Sequence, residues 1–319
     1  MKAAILSLPS EDRPRITDRS GLDGHPVRMA AIVSRVLKTG SRTLDLDRTR
    51  IMAVLNLTPD SFSDGGRFLA GATIDIGAVR AEAEQMIAAG ADILDIGGES
   101  TRPGAAPVSE ADELARVIPV LESLVELDTI VSVDTRKPGV ARAALAAGCH
   151  LINDVSGLTD KTMLEAVADS EAAVCIMHMQ GQPSDMQTDP SYADVVAEVG
   201  QFLAERRAAA AAAGIADERI CLDPGFGFGK TLDHNLALLR SLDALKVDGL
   251  PLLVGLSRKR MIGTLTGADV ANRMPGSIAA ALLAAERGAD IVRVHDVAET
   301  SQALRVLEAL KTGNRIESR

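Results

Sequence analysis

A chain of 319 residues that is 46% hydrophobic holds enough apolar material for one large core or two smaller ones. Its formal net charge of -10 and pI near 5.1 exclude nucleic acid and anionic membrane as main partners, yet leave room for a local basic site holding a small anion. No apolar run approaches the ~18 residues of a transmembrane helix, and Cys149, Cys175 and Cys221 lie apart in apolar runs, reading as buried free thiols of a cytoplasmic protein.

Residues 1–50 form a polar, Pro-containing extension in which "AAIVSRVLKTGSRTLDLD" (30–47) offers a hairpin that would plug the bottom of a barrel. Positions 1–25 and the end of the chain, 312–319, read as disordered. From residue 51 short β-branched runs alternate with helical patterns. The strands expected are 51–57, 92–97, 130–135, 150–154, 173–179, 219–223, 251–256 and 290–296. Helical stretches lie between and after them at 74–89, 109–126, 138–147, 160–169, 192–213, 233–245, 273–287 and 297–311. "AAGADILDIG", "AAGCHLIND" and "ERGADIVRV" share one joint, a helix ended by a glycine and followed by a strand. Eight such β–α units over 51–312, with 313–319 as a tail, predict a (β/α)8 TIM barrel rather than an open doubly wound sheet.

In that fold, function gathers where strands end. The ends here supply Asn56, then Glu99, Thr101 and Arg102, then Asp134, then Asn153 and Asp154. His178, Asp223, Ser257 and Lys259, and finally Arg293, His295 and Asp296 complete the ring. A single strand-end Asp or Asn more often caps the next helix. A whole ring implies a polar ligand or mutual pairing, because an interior carboxylate without a partner is costly. Arg293 lies inside an apolar strand and needs a partner of its own. His178, flanked by Met177 and Met179, reads as supporting structure rather than a metal ligand.

Two loops rich in turn formers, "NLTPDSFSDGGRF" (56–68) and "GGESTRPGAAPVS" (97–109), read as lids over the barrel mouth. Asn56, Asp60, Asp64 and Glu99 offer hard oxygens, so Mg²⁺ shared with substrate phosphates is expected. "RICLDPGFGFGKTLDHN" (219–235) mimics a phosphate loop but fails its spacing: four residues before Gly229-Lys230 must follow a glycine, and that position is Pro224. The segment instead offers Asp223 for an amino-heterocycle and phenylalanines for its flat face. Phe62, Phe68, Phe226 and Phe228 all fall in such loops and read as ligand surfaces, with plugging of the barrel ends as the alternative. "GLSRKRMIG" (255–263), with Arg293 and His295, supplies cations after strands 7 and 8, the usual phosphate site of this fold.

Taken in order, "LNLTPDSFSDGG", "GGESTRPGA", "VDTRKP", "INDVSG", "IMHMQG", "DPGFGFGK", "GLSRKRMIG" and "RVHDV" resemble the dihydropteroate synthase family of folate biosynthesis, a sulfonamide target. The resemblance implies a transferase, commonly a homodimer, that joins p-aminobenzoate to 6-hydroxymethyl-7,8-dihydropterin pyrophosphate with Mg²⁺ present. It implies that Asp134, Asn153, Asp223 and Lys259 recognise the pterin, with Met177 and Gly255 against it. Asn56 would hold the metal, and Arg293 and His295 the pyrophosphate. Thr101, Arg102, Pro103 and Phe228 would line the p-aminobenzoate side, whose carboxylate meets the helix after "SRK". Asp134, Lys259, Arg293 and His295 are the catalytic residues so implied. Arg260 departs from the family's usual Ser. A non-catalytic pterin-binding paralogue and a pterin-dependent methyltransferase-like domain are the alternatives.

Overall fold

The hairpin in the extension forms from β1 (Val36–Thr39) and β2 (Arg42–Asp45), paired antiparallel with Leu37 opposite Leu44. These two leucines and Leu46 are buried in one cluster with Met52, Ile93, Ile130, Leu151, Cys175, Cys221, Leu253 and Ile291. The hairpin therefore stoppers the barrel from below, as expected of the segment 30–47. The computed structural model describes residues 35–58, 69–70, 73–100 and 104–313. The expectations for 1–25, the first lid's 59–68, Thr101, Arg102, Pro103 and the tail 314–319 lie outside the described residues.

The barrel follows: β3 (Arg50–Asn56), then a short pair, β4 (Leu69–Ala70) and β5 (Thr73–Ile74), then α1 (Ile76–Ala89). Next come β6 (Ile93–Gly97), α2 (Glu110–Leu124), β7 (Ile130–Asp134), α3 (Pro138–Ala146), β8 (Leu151–Asp154) and α4 (Lys161–Ala168). β9 (Ala173–Met177), α5 (Val195–Ala212), β10 (Ile220–Asp223), α6 (Leu232–Arg240) and β11 (Leu253–Val254) continue it. α7 (Arg260–Thr266), α8 (Met274–Glu286), β12 (Ile291–Val294) and α9 (Val297–Thr312) end it.

Eight strands pair in the order β10-β9-β8-β7-β6-β3-β12-β11, all parallel. The ring closes where Leu222 bridges Leu252 and its N–H donates to the carbonyl of Pro251 at 2.9 Å. Alternation along each strand divides the core in two. Outward residues such as Leu94, Ile96, Val131, Val133 and Ile152 pack under the helices, whereas the inward set joins the hairpin cluster. The three glycine joints hold: Gly90, Gly148 and Gly288 take φ of +111°, +92° and +97°, the left-handed turn that ends a helix cheaply only for glycine.

Most boundaries shift by one to three residues, and three departures are larger. The strand expected over 251–256 is reduced to Leu253–Val254; its start is late because Pro251 has no N–H to give to a ladder. The helix expected over 233–245 stops at Arg240 and resumes as a tight 3-10 turn, Leu242–Leu245. α7 is seven residues long, buries Met261 and Ile262, and is legible in the sequence only as the helix after "SRK".

Candidate active site

The strand ends converge on one cavity of about 880 Å³ at the top of the barrel. Asn56, Asp134, Asn153, Met177, Asp223, Phe228, Gly255, Lys259, Arg293 and His295 all line it, so every described residue assigned to the site from sequence is brought together.

Arg293 finds the partners its position demanded. From the middle of β12 its Nε donates to Asp95 at 2.6 Å and its second terminal nitrogen to Asp134 at 3.0 Å. Two carboxylates thus share one guanidinium, and each keeps one buried oxygen, Oδ1, without a hydrogen bond. Burial pushes Asp134 up to about 7; Arg293 opposes that shift, while the negative charges of Asp95, Glu113 and Asp154 add to it. Asp95 also accepts the side-chain amide of Asn153 at 3.2 Å.

On the opposite wall, Asp223 receives the N–H of Gly225 at 2.7 Å, and burial raises its pKa against the pull of Lys259. That turn requires glycine: φ at Gly225 is +69°, and a side chain there would collide with the carbonyl of His178. Lys259 donates to the carbonyl of Phe226 and lies 4.6 Å above the ring of Phe228. Burial lowers its pKa to about 8; Asp223 and Asp134 oppose the shift and Arg293 adds to it. His295 is tied through Nδ1 to Ser257 Oγ at 3.0 Å. Lys259 is the N-cap of α7 and offers its first turn no side-chain cap.

Several sequence readings need correction. Phe226 is wholly buried and plugs the core, so only Phe228 of that pair faces the cavity. Glu99 is not a spare metal ligand: it accepts from Arg136 at 3.1 Å, Lys137 at 3.0 Å and the Val108 N–H at 2.9 Å. Those partners outweigh burial and hold its pKa below the ordinary carboxylate range. Arg258 is engaged by Asp296 through Nε at 3.1 Å and a terminal nitrogen at 2.5 Å, which makes that residue and its partner structural. Asp154 likewise caps its own loop, accepting from Ser156 and Leu158.

Two residues were missed. Lys230, noted only within the failed phosphate loop, is buried with Nζ 2.9 Å from His178 Nδ1, 2.9 Å from the Gly225 carbonyl and 3.0 Å from that of Phe228. With the His178 carbonyl at 3.4 Å as a fourth and longer contact, these acceptors take up its N–H bonds, so it is the internal strut of the loop carrying Asp223 and Phe228. Burial lowers its pKa to about 7, and burial with the lysine charge lowers His178 to about 3. Asp95 was the other omission. Its signal was present, since "DILDIG" places an acid at an inward position of an otherwise apolar strand.

A (β/α)8 barrel whose mouth pairs two acids and a lysine with an aromatic face is built for a flat, amino-substituted heterocycle. Residues 52–295 match the family described as pterin binding enzymes. The chain is 52% identical over 268 residues, 84% of its own length and 93% of the relative, to the dihydropteroate synthase of Escherichia coli K12. It superposes with a TM-score of 0.80 and 51% identity on the Xanthomonas albilineans dihydropteroate synthase with 4-aminobenzoic acid, covering 88% of this chain and 99% of that one. For the Burkholderia cenocepacia dihydropteroate synthase complexed with 7,8-dihydropteroate the TM-score is 0.78 at 47% identity, with 88% and 98% covered. The chain belongs to the pterin-binding enzymes and, within them, to the dihydropteroate synthase family.

Proposed function

We propose that this chain joins p-aminobenzoate to 6-hydroxymethyl-7,8-dihydropterin pyrophosphate, releasing pyrophosphate and 7,8-dihydropteroate. The observation that carries the reading is the convergence of Asp134, Asn153, Asp223, Lys259 and Phe228 on one cavity. Asp223 would accept from the amino-pyrimidine edge, Lys259 would donate to its carbonyl, and Met177 would pack on the ring. As the C–O bond to pyrophosphate lengthens, positive charge spreads into the pterin, and the anionic form of Asp134 stabilises it electrostatically. The weakly basic arylamine then attacks the exocyclic methylene carbon, and the proton its nitrogen sheds passes to the released pyrophosphate or to solvent, without a dedicated base. Arg293 and His295 would take the charge of the departing pyrophosphate, and the uncapped start of α7 would meet the p-aminobenzoate carboxylate.

The donor set suits Mg²⁺. Asn56 ends β3 with a hard amide oxygen so close to Gly97 that a side chain on that glycine would stand 3.2 Å from it. Among the described residues no three His, Cys, Asp or Glu cluster as a cage, so the cation would draw its other ligands from pyrophosphate and water. When bound, it would neutralise the leaving group.

A homodimer is supported by exposed Leu283 on α8 and exposed Val306 and Leu310 on α9. The three buried free thiols support the cytoplasm.

The test is to incubate the protein with both substrates and Mg²⁺ and follow pyrophosphate and dihydropteroate together. Equal formation of both, lost in Lys259→Ala, is expected. Pterin binding without dihydropteroate would instead favour the non-catalytic paralogue or the methyltransferase-like reading.

A further inference from the structure

Asp95 lies in the middle of β6, wholly buried, level with Ser132 and two residues below the level of Asp134. It does not line the cavity, yet it touches two residues that do. Its Oδ2 accepts the Nε–H of Arg293 at 2.6 Å and the side-chain amide of Asn153 at 3.2 Å.

Both contacts carry orientation. A side-chain amide has one donor end and one acceptor end. Because Asn153 gives its N–H to Asp95, its carbonyl oxygen is the end presented to the cavity. Arg293 is pinned twice, at Nε by Asp95 and at a terminal nitrogen by Asp134, so the plane of its guanidinium is fixed. An anion needed only to neutralise Arg293 would have no reason to hold Asn153 as well. With Asp95 in place, the wall reads acceptor at Asn153 and acceptor at Asp134 in a fixed relation.

We infer that Asp95 is a positioning residue for pterin recognition, acting from beneath the cavity by fixing the acceptor end of Asn153 and the plane of Arg293. The inference rests on the function proposed above. It also has an electrostatic face. The charges around Asp134 are Arg293 from β12, Asp95 from β6, Glu113 from α2, Asp154 from β8 and Lys259 at the start of α7. Removing the Asp95 charge removes one of the repulsions that favour protonated Asp134.

The experiment uses the full chain with Asp95→Asn and Asp95→Glu. Thermal melts establish the fold, and calorimetry measures affinity for 6-hydroxymethylpterin across pH. Asp95→Asn is expected to weaken pterin binding roughly tenfold or more, with KM for p-aminobenzoate changed by less than about twofold. Its pH midpoint for binding moves down. Asp95→Glu, which keeps the charge but misplaces it, loses affinity with the midpoint unmoved, and it carries the test if the Asn variant does not fold. In an Asn153→Ala background, Asp95→Asn has a smaller effect, because one of the two residues it orients is gone and only the hold on Arg293 is left to lose. Unchanged pterin affinity in Asp95→Asn, or an equal loss with Asn153 present or absent, overturns the inference. A parent chain that does not bind the pterin overturns the reading of the site and this inference with it, and is recognised because no variant is then needed.

Discussion

Along β6 the inward side chains are Ile93 and then Asp95; along β7 they are Ile130, then Ser132 and Asp134; along β12 they are Ile291 and then Arg293. The lower members join the hairpin leucines in a dry cluster, and the upper members form a charged floor beneath a cavity. The same strands and the same alternation therefore build two interiors within a few residues. What separates them is compensation. The lower half needs only volume filled to native density, supplied from outside the ring by Leu37, Leu44 and Leu46. In the upper half each charge depends on another, and two buried carboxylate oxygens, one on Asp95 and one on Asp134, have no hydrogen bond.

The sharpest break of that contrast is Arg293→Ala. It removes a group proposed to stabilise the leaving pyrophosphate and leaves Asp95 and Asp134 buried without a counterion. The rate should fall about 10²–10³-fold or more. Stability should drop by about 3–5 kcal/mol. Initial rates and a denaturant melt measure the two together, and a variant that melts like the parent would show that the carboxylates do not need the arginine.

In the lower half, Leu37→Ala should cost about 2–5 kcal/mol by opening a cavity in the stopper. Well below the variant's melting temperature its kcat should match the parent's. A lowered kcat in folded protein would mean that the two halves are mechanically coupled, and the comparison would fail.

The eight β–α units were readable because short β-branched runs alternating with helical stretches are a local signal, whereas the strands themselves are buried on both faces. Asp134, Asn153 and Asp223 were found because each stands at a strand end, and Lys259 because it lies in the loop after one, where the fold itself says to look. Asp95 escaped because it sits one layer lower, inside a strand. Lys230 escaped because its meaning depends on His178, 52 residues away in sequence. Phe226 and Phe228 show the limit most plainly: they occupy one turn with the same neighbours in sequence, yet one is buried and one faces the ligand. Only the path of the backbone through Gly225 and Gly227 decides between them.

Two groups of the upper half should also part under pH. Asp134, raised to about 7 by burial, is largely protonated just below neutrality. If its anion stabilises the pterin cation, kcat/KM should fall about tenfold per pH unit below that value. The sign for stability is opposite. A carboxyl whose folded pKa lies above its unfolded 3.8 favours the fold at low pH and loses that contribution as pH rises toward about 7. His178 runs the other way: with a folded pKa near 3 against 6.5 unfolded, it withdraws stability as pH falls through that window. Rate profiles and melts on the same samples separate these limbs, and His178→Gln should flatten the acid loss of stability. A rate profile flat through neutrality would remove Asp134 from the chemistry.

The smallest effect expected is at Arg260. It is exposed at the cavity edge, the first residue of α7, and departs from the residue usual in the family it resembles. An exposed cation works through solvent and salt, and pairs of this kind contribute on the order of 0–1 kcal/mol. Arg260→Ser should therefore change KM for p-aminobenzoate by no more than about fivefold. The change should shrink as salt is added, and pterin affinity should stay where it was, since the pterin side is built on Asp134, Asn153, Asp223 and Lys259. A larger and salt-insensitive change would mean that Arg260 is desolvated when the substrate binds. The boundary between the charged floor and the solvent-facing rim would then lie further out than the strand ends.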